Sequence, residues 1–244
     1  MQLQGATALV SGAAGNIGAA LVAELVAQGA KVAGVDVQQP SAPVAGATYF
    51  TADLTDASAV EQLMNDVVAQ VGQPNVLINT AGTIHNALLF NLLDRNDGRL
   101  PLEGWERTVD SNLTTAFLLS REVVARMVKS RTKGAVIHFS SMAADGNAGQ
   151  SAYSAAKAAL ESLTVTWSKE LGPFGIRVNA LAPGFIDTPS TAKALTPAQI
   201  AAWTKQIPAA RLGTLAEIAH AVRFIIENDY YNGKVLRIDG GLRI

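Results

Sequence analysis

Two side chains able to exchange a proton, Tyr153 and Lys157, stand four residues apart in the alanine-rich stretch GQSAYSAAKAALESL. Residues at that spacing lie on one face of an α-helix, so the phenol and the ammonium can meet around one small site. A phenol with a pKa of about 10 is a poor base at neutral pH, but a nearby cation lowers that pKa by about one to three units. The pair therefore predicts a general acid or base for an alcohol or carbonyl oxygen, although the same spacing also arises by chance in ordinary helices.

Two serines, Ser140 and Ser141, end the apolar run GAVIHFSS just upstream of this stretch. Apolar runs of this length are typical of buried strands, and a hydroxyl at a strand end can reach an oxygen that reacts beside the next element. The sequence thus predicts a serine partner for Tyr153, with two neighbouring candidates.

A glycine-rich turn, SGAAGNIG, follows the first apolar run and leads directly into a segment with helical periodicity. Such a turn lets backbone N–H groups approach a pyrophosphate, which is also attracted by the positive end of the helix dipole. Tight turns between a strand and a helix also need glycine for steric reasons, so the turn alone is a moderate signal. Asn16 stands where a third glycine is often found, and asparagine tolerates left-handed backbone geometry better than most residues.

Polar side chains end the next three apolar runs: Asp36, then Asp53, then Asn79. An aspartate at the end of the second strand accepts hydrogen bonds from the adenosine ribose hydroxyls and repels a 2′-phosphate, which favours NAD over NADP. In an open parallel sheet, ligands bind in the crevice outside the carboxyl ends of the strands. Each of these residues could equally be a helix cap or a turn residue.

Seven short apolar runs alternate with helical segments, which is the pattern of repeated βαβ units. The runs are TALV, KVAGVDV, TYFTAD, NVLINTAG, GAVIHFSS, IRVNALAPG and KVLRIDGG. No Pro- or Ser-rich linker separates them. We therefore expect an α/β fold of the Rossmann type, with one domain over residues 1–244 and a doubly wound, seven-stranded parallel sheet flanked by helices on both faces.

The composition argues against several classes of partner. Lys plus Arg total 19 and Asp plus Glu total 20, and the net charge of -1 gives no reason to expect a nucleic acid or a membrane surface. There is no cysteine, and the three histidines lie far apart in sequence, so we expect no metal site. The sequence has no apolar stretch of membrane-spanning length and no room for a signal peptide at its start, so we expect a cytoplasmic protein.

One segment, HNALLFNLLDRNDGRLPLEGW, breaks the βα rhythm, and its polar part from Asp94 to Arg99 predicts an exposed loop. A solvated insertion is the ordinary interpretation. The alternative is a lip on the substrate side of the site, where Arg95 or Arg99 meets a phosphate.

In this order, and along nearly the whole chain, the motifs resemble those of the short-chain dehydrogenase/reductase family. The matching pieces are SGAAGNIG, Asp36, Asp53, NTAG, Asn112 in DSNLTTAF, the strand end at Ser141, Tyr153-x-x-x-Lys157, PGFIDT and IDGG. Asn16 and Thr80 depart from the family's pattern, which has glycine and asparagine at those positions.

The resemblance implies a role for each matching residue. Tyr153 would be the general acid/base, and Lys157 would lower its pKa and hold the nicotinamide ribose. Ser141 would orient the reacting oxygen, and Asn112 would hold a water in a proton relay. Contacts to an NAD cofactor are expected from Gly12, Ala14, Asn16, Ile17, Gly18, Asp36, Asp53, Leu54, Asn79, Ala81, Gly82, Tyr153, Lys157, Pro183, Gly184, Ile186 and Thr188.

The choice between the two serines depends on how the motif is aligned. The number of residues that usually separates the catalytic serine from the tyrosine in the family selects Ser140. The position along the strand, counted from Gly134, selects Ser141. We choose Ser141, because a loop loses one residue more easily than a strand changes its register.

Within the family, the C-terminal stretch, the 94–99 loop and Gln150 resemble the 3-hydroxyacyl-CoA dehydrogenase type II branch, which makes Gln150 a candidate substrate contact. The leading prediction is NAD-dependent interconversion of a secondary alcohol and a ketone, with 3-hydroxyacyl-CoA thioesters as the favoured substrates. The first alternative is a 3-oxoacyl reductase acting on carrier-protein or CoA thioesters, against whose usual NADPH preference Asp36 argues. The second is a redox-sensing protein that binds the dinucleotide without turnover.

The resemblance also implies a homotetramer. The polar, alanine-rich segment 188–207 has helix-like spacing, and we expect it to form a mobile lid over a small-molecule substrate.

Overall fold

The structure, a computed structural model, describes residues 1–242 and contains a strand at each of the seven predicted runs. The strands are β1 (Thr7–Ser11), β2 (Lys31–Asp36), β3 (Ala47–Thr51), β4 (Val76–Asn79), β5 (Gly134–Phe139), β6 (Ile176–Pro183) and β7 (Val235–Ile238). All neighbours pair in parallel, in the order β3-β2-β1-β4-β5-β6-β7. The predicted seven-stranded parallel sheet is confirmed.

Helices cover both faces of the sheet. They are α1 (Asn16–Ala27), α2 (Ala57–Gln70), α3 (Leu102–Val109), α4 (Thr115–Lys129), α5 (Ser151–Leu171), α6 (Pro189–Ala194), α7 (Pro197–Gln206) and α8 (Leu215–Glu227). Buried side chains of α1 and α8 form one core cluster with the sheet, whereas those of α2 and α4, together with Trp167 and Leu171 of α5, form the cluster on the other face. This double layer is the Rossmann-type arrangement that the sequence predicts.

The inner strands are mostly apolar because both of their faces are covered. All residues of β4, β5 and β6 are buried, and β1 and β2 are buried except at their ends. Parallel strands buried on both faces appear in the sequence as continuous apolar runs rather than as alternating patterns. This is why strand prediction succeeds in this chain.

The strand order changes direction at β1, which has β2 on one side and β4 on the other. The connections that leave the carboxyl ends of β1 and β4 therefore run apart, and a crevice opens between them. The topology places the glycine-rich turn after β1 and the NTAG segment after β4 at this crevice.

Within residues 1–242, no helix combines the length and the apolar character needed to cross a bilayer. The same part of the chain contains no group of three or more His, Asp or Glu side chains placed to hold a metal ion.

The packing at the start of α1 generates a stability prediction. A Cβ added at Gly18 would overlap the carbonyl oxygen of Gly12, whereas a Cβ added at Gly172 would meet nothing within 4 Å. We expect Gly18→Ala to lower the free energy of unfolding by about 1 to 3 kcal/mol, since backbone atoms must shift to make room. Urea denaturation followed by far-UV circular dichroism measures the effect.

Gly172→Ala is the matched control, because Gly172 has helical backbone angles and open space around it. We expect this substitution to leave the urea midpoint unchanged or slightly raised. Equal losses of unfolding free energy in Gly18→Ala and Gly172→Ala would contradict the packing argument.

Candidate functional site

A cleft lies at the carboxyl edge of the sheet and brings together six of the residues predicted to bind a cofactor. Its walls come from the segments that follow β1, β2, β3 and β4 and from the start of α4. The lining residues are Gly12, Gly15, Asp36, Val37, Asp53, Leu54, Thr55, Thr80, Ala81, Gly82, Thr83, Ser111 and Thr115.

The residues present fit a dinucleotide phosphate at one wall of this cleft. Helix α1 begins after Gly15 with no side-chain cap, so its first N–H groups are available to a ligand. By contrast, the Asp56 carboxylate caps α2 by accepting hydrogen bonds from the backbone N–H groups of Ser58 and Ala59. An uncapped helix start beside a glycine turn is suited to binding an anion.

Asp36 is fixed at the floor of the cleft by two backbone hydrogen bonds. Ala14 N–H donates to Oδ2 at 3.0 Å, and Val37 N–H donates to Oδ1 at 2.8 Å. The first of these bonds ties the glycine-rich turn to the end of β2. No lysine or arginine lines this cleft in the described part of the chain.

The side chain of Ser141 lies beside the Tyr153 hydroxyl, close enough to act as a hydrogen-bonding neighbour that lowers the pKa of the phenol. Tyr153 lies on the first turn of α5, and Ser141 caps the short 3-10 helix Met142–Asp145 by accepting a hydrogen bond from the N–H of Ala143 at 3.2 Å. Two hydroxyls that meet in this way can both contact one substrate oxygen.

Lys157 lies one turn further along α5 and is 5% exposed. Its Nζ donates to the carbonyl oxygen of Phe139 at 2.8 Å and lies 5.4 Å from the centre of the Tyr153 ring. Burial lowers the pKa of Lys157 from its ordinary 10.5 to about 8. The structure therefore places the predicted pair on one helix face.

The pKa of Tyr153 differs from the sequence expectation. Burial raises this pKa above its ordinary value of 10.0, and the hydrogen bond from Ser141 opposes the rise only in part. Desolvation of the phenol outweighs the attraction of the cation.

Ser140 faces away from Tyr153. Its hydroxyl donates to Glu161 Oε1 at 2.7 Å and lies 3.3 Å from the carbonyl oxygen of Lys157. Adjacent residues in an extended backbone point to opposite sides, so only one of the two serines can meet Tyr153. The geometry favours Ser141 as the residue beside the reacting oxygen.

A charged group supports the segment between Ser141 and Tyr153 from β7. Both terminal nitrogens of Arg237 donate to Asp145, at 2.9 and 3.0 Å, and Arg237 also lies 3.7 Å from Glu161. A bidentate arginine–carboxylate pair fixes orientation as well as distance. The 3-10 helix that follows Ser141 is thereby tied to the edge strand and, through Glu161, to Ser140.

Asn112 lies in a π-helical turn, Asp110–Thr114, between α3 and α4. Its Nδ2 donates to the carbonyl oxygens of Thr83 at 2.7 Å and Thr108 at 2.9 Å, while Oδ1 is buried with no partner within the described residues. A Cβ at Gly82 would overlap this oxygen, which explains the glycine of NTAG. The π turn thus holds Asn112 against the wall of the cleft.

The remaining predicted cofactor residues lie around the cleft rather than in it. The Asn79 side chain is turned into the core, where Nδ2 donates to Ser120 Oγ at 3.0 Å. Ile17 and Gly18 are in the first turn of α1. Pro183 ends β6, and Gly184, Ile186 and Thr188 follow it. Gly184 N–H donates to the Ile238 carbonyl, and Thr188 caps α6.

The insertion from residue 84 to 102 borders the catalytic end of the site. Ala87 N–H donates to the Gly149 carbonyl at 2.8 Å, and Gln150 Nε2 donates to Asn86 Oδ1 at 2.9 Å. Arg99 pairs with Asp97 at 2.5 Å, so that guanidinium already has an acidic partner. Besides Arg95 and Arg99, the insertion exposes a set of large apolar side chains: Ile84, Leu88, Leu89, Phe90, Leu92, Leu93 and Leu102.

Several cleft residues were not predicted from the sequence. Val37 and Thr55 each follow a predicted residue directly, so their positions could have been inferred from chain proximity. Ser111 and Thr115 flank Asn112 on the π turn and the start of α4, and only knowledge of that turn would have indicated that both face the cleft.

Comparison with known proteins gives matches over nearly the whole chain. A family model described as enoyl-(acyl carrier protein) reductase matches residues 12–243. The chain is 35% identical over 250 residues to 3-oxoacyl-(acyl-carrier-protein) reductase FabG of Salmonella typhimurium and 36% identical over 254 residues to the reductase of that name from Pseudomonas aeruginosa, with 99% of each chain covered in both cases.

A solved structure of Thermoplasma acidophilum aldohexose dehydrogenase in ligand-free form superposes with a TM-score of 0.87 at 28% identity, covering 98% of this chain and 94% of that one. The family match, the relatives and the shared fold agree with the order of motifs found in the sequence. The chain belongs to the short-chain dehydrogenase/reductase family, as an oxidoreductase that acts on CH–OH groups and binds a nicotinamide dinucleotide.

Proposed function

We propose that this protein interconverts 3-oxoacyl and 3-hydroxyacyl thioesters with NADH and NAD, and that reduction of the ketone is its main reaction. The observation that carries the proposal is the group formed by Ser141, Tyr153 and Lys157 at the carboxyl edge of the sheet, the same edge as the cleft that contains Asp36. The leading prediction from the sequence was the dehydrogenase of 3-hydroxyacyl-CoA. The reductase alternative is better supported, since the relatives described above are named 3-oxoacyl reductases.

The chain's own residues supply the proton chemistry at the substrate oxygen. A bound nicotinamide dinucleotide supplies or accepts the hydride at the substrate carbon. Tyr153 keeps its proton at neutral pH, because burial raises its pKa, and it is therefore suited to protonate the ketone oxygen. Ser141 holds that oxygen by a second hydrogen bond, and the charge of Lys157 stabilises the tyrosinate that remains.

NAD rather than NADP is the cofactor that the cleft favours. Hydrogen bonds from Ala14 and Val37 hold the Asp36 carboxylate where the adenosine ribose would lie. A 2′-phosphate at that position would meet a negative charge and find no lysine or arginine among the lining residues of the described chain. Ribose hydroxyls, in contrast, could donate to the same carboxylate.

The substrate class is supported by the apolar insertion as well as by the relatives. The insertion is joined to Gly149 and Gln150, immediately before the helix that carries Tyr153, and it exposes leucine and phenylalanine side chains there. An acyl chain can bury such side chains, whereas a sugar such as an aldohexose would leave them in water. Gln150 is a candidate contact for the polar head of the substrate.

Two structural expectations belong to the same proposal. Residues 1–244 act as a single domain in which segment 188–207 covers the substrate, and four copies assemble into a homotetramer, as the family resemblance implies. A sensor that binds a dinucleotide without turnover is disfavoured, since it would need neither the Ser141 and Tyr153 hydroxyls nor the buried lysine.

The proposed activity is tested by measuring NADH and NADPH consumption in parallel with acetoacetyl-CoA, acetoacetyl carrier protein and glucose. We expect turnover of both thioesters, no turnover of glucose, and a preference for NADH of about 100-fold in kcat/KM, because like charges in contact cost several kcal/mol. Asp36→Asn should reduce the preference to about 10-fold or less, since the amide retains an acceptor oxygen without the charge.

Asp53→Asn is the matched control, because it removes the same charge elsewhere in the cleft and should leave the NADH preference in place. Tyr153→Phe should keep NADH binding and abolish turnover. Binding of NADH by the wild type without turnover of any ketone would support the sensor, and equal use of NADPH would contradict the assignment of Asp36.

The orientation of the two serines predicts unequal effects on catalysis. Ser141→Ala should lower kcat for acetoacetyl-CoA reduction by about 100- to 1,000-fold, as loss of a donor to the reacting oxygen does in other enzymes. Ser140→Ala removes a hydroxyl whose partners are Glu161 and the carbonyl oxygen of Lys157, and it should lower kcat by less than about 10-fold. Steady-state kinetics of the two variants decide, and a larger loss in Ser140→Ala would reverse the assignment.

The pKa of Lys157 predicts the pH dependence of ketone reduction. Its folded value of about 8 lies below the ordinary 10.5, so Lys157 is charged below pH 8 and loses its charge as the pH rises through that value. We expect kcat/KM for reduction to be constant near neutrality and to fall above pH 8. In Lys157→Arg the fall should move to higher pH, since arginine keeps its charge, and an unmoved fall would assign it to another group.

A further inference from the structure

Asn16, which departs from the family's glycine, connects the cofactor turn to segment 188–207. Its Nδ2 donates to Ser190 Oγ at 2.6 Å, across 174 positions of sequence. Asn16 is the first residue of α1, and Ser190 is the second residue of α6. A glycine at position 16 could not make this contact.

Helix α6 has little else to hold it in place. It has no buried residue. Its other side-chain hydrogen bonds are local, from Thr191 Oγ1 to the Ile186 carbonyl at 2.6 Å and from Thr191 N–H to Thr188 Oγ1 at 3.2 Å. In the described chain, the bond to Asn16 is the one side-chain hydrogen bond that α6 makes outside residues 186–194.

Helix α7 is anchored differently. Trp203 packs against Phe185 with ring centres 4.9 Å apart, and both rings contact a small buried cluster of Met142, Ile207 and Leu242. The two helices of the segment therefore differ in their restraint: α7 is held by apolar packing, and α6 by one exposed polar contact.

We infer that Asn16 is a positioning residue that holds α6 against the glycine-rich turn through Ser190. The contact lies beside the uncapped start of α1, which is the wall of the cleft suited to a phosphate. Helix α6 therefore meets the glycine-rich turn at this wall. The expectation that this contact slows cofactor release rests on the proposed dinucleotide site, whereas the contact itself does not depend on that site. Asn16 acts through α6 and takes no part in the proton transfer.

Limited trypsin digestion of the protein without ligand tests the contact directly, because α6 contains Lys193 and α7 contains Lys205. Cleavage needs local opening of the helix, so it reports the restraint on each. Asn16→Ala and Ser190→Ala should each speed cleavage after Lys193 by about 2- to 10-fold, and the double variant should be no faster than either single one. Cleavage after Lys205 should not change.

Ser190→Thr is the matched control, because it keeps the hydroxyl and should be cleaved at the wild-type rate. Stopped-flow release of NADH supplies a second readout, in which Asn16→Ala and Ser190→Ala should speed dissociation by the same factor. Unchanged cleavage after Lys193, or additive effects in the double variant, would overturn the inference. A wild type that does not bind NADH would refute the cofactor assignment and leave the digestion result to decide on the contact.

Discussion

The buried ammonium group of Lys157 is the constraint on which the catalytic geometry depends. A charge that is 5% exposed requires an acceptor, and the Phe139 carbonyl supplies one at 2.8 Å. This bond joins α5 to the end of β5, where the two serines lie. Tyr153, one turn earlier on α5, is thereby brought opposite Ser141. The position of α5 along β5 is therefore set by the hydrogen bond of the buried ammonium group as well as by the apolar face of the helix.

The cofactor side of the site was largely predictable because its parts are local. Each strand covered on both faces is largely an apolar run, and each functional residue there ends a strand or follows one, as Asp36 ends β2 and Thr80, Ala81 and Gly82 follow β4. Parallel pairing then brings all carboxyl ends to one edge. The fold class, the strand set and the cleft required no long-range information beyond this rule.

The catalytic side was less predictable because its geometry depends on contacts distant in sequence. The π turn at Asn112 is stabilised by the carbonyl of Thr83, and the pKa of Tyr153 depends on how deeply α5 is buried. The spacing of Tyr153 and Lys157 predicted a lowered pKa for Tyr153, whereas desolvation raises this pKa. For the substrate, the relatives described above are named 3-oxoacyl reductases, which supports the alternative prediction more than the leading one.

The pair formed by Arg237 and Asp145 has a consequence for the order in which the protein can mature. Ribosomes build a chain from its amino end, and β7 is the last strand in that order. Until it docks beside β6, the loop between Ser141 and Tyr153 lacks its bidentate tether. The segment between Ser141 and Tyr153 therefore gains this tether only when the last strand of the chain has joined the sheet.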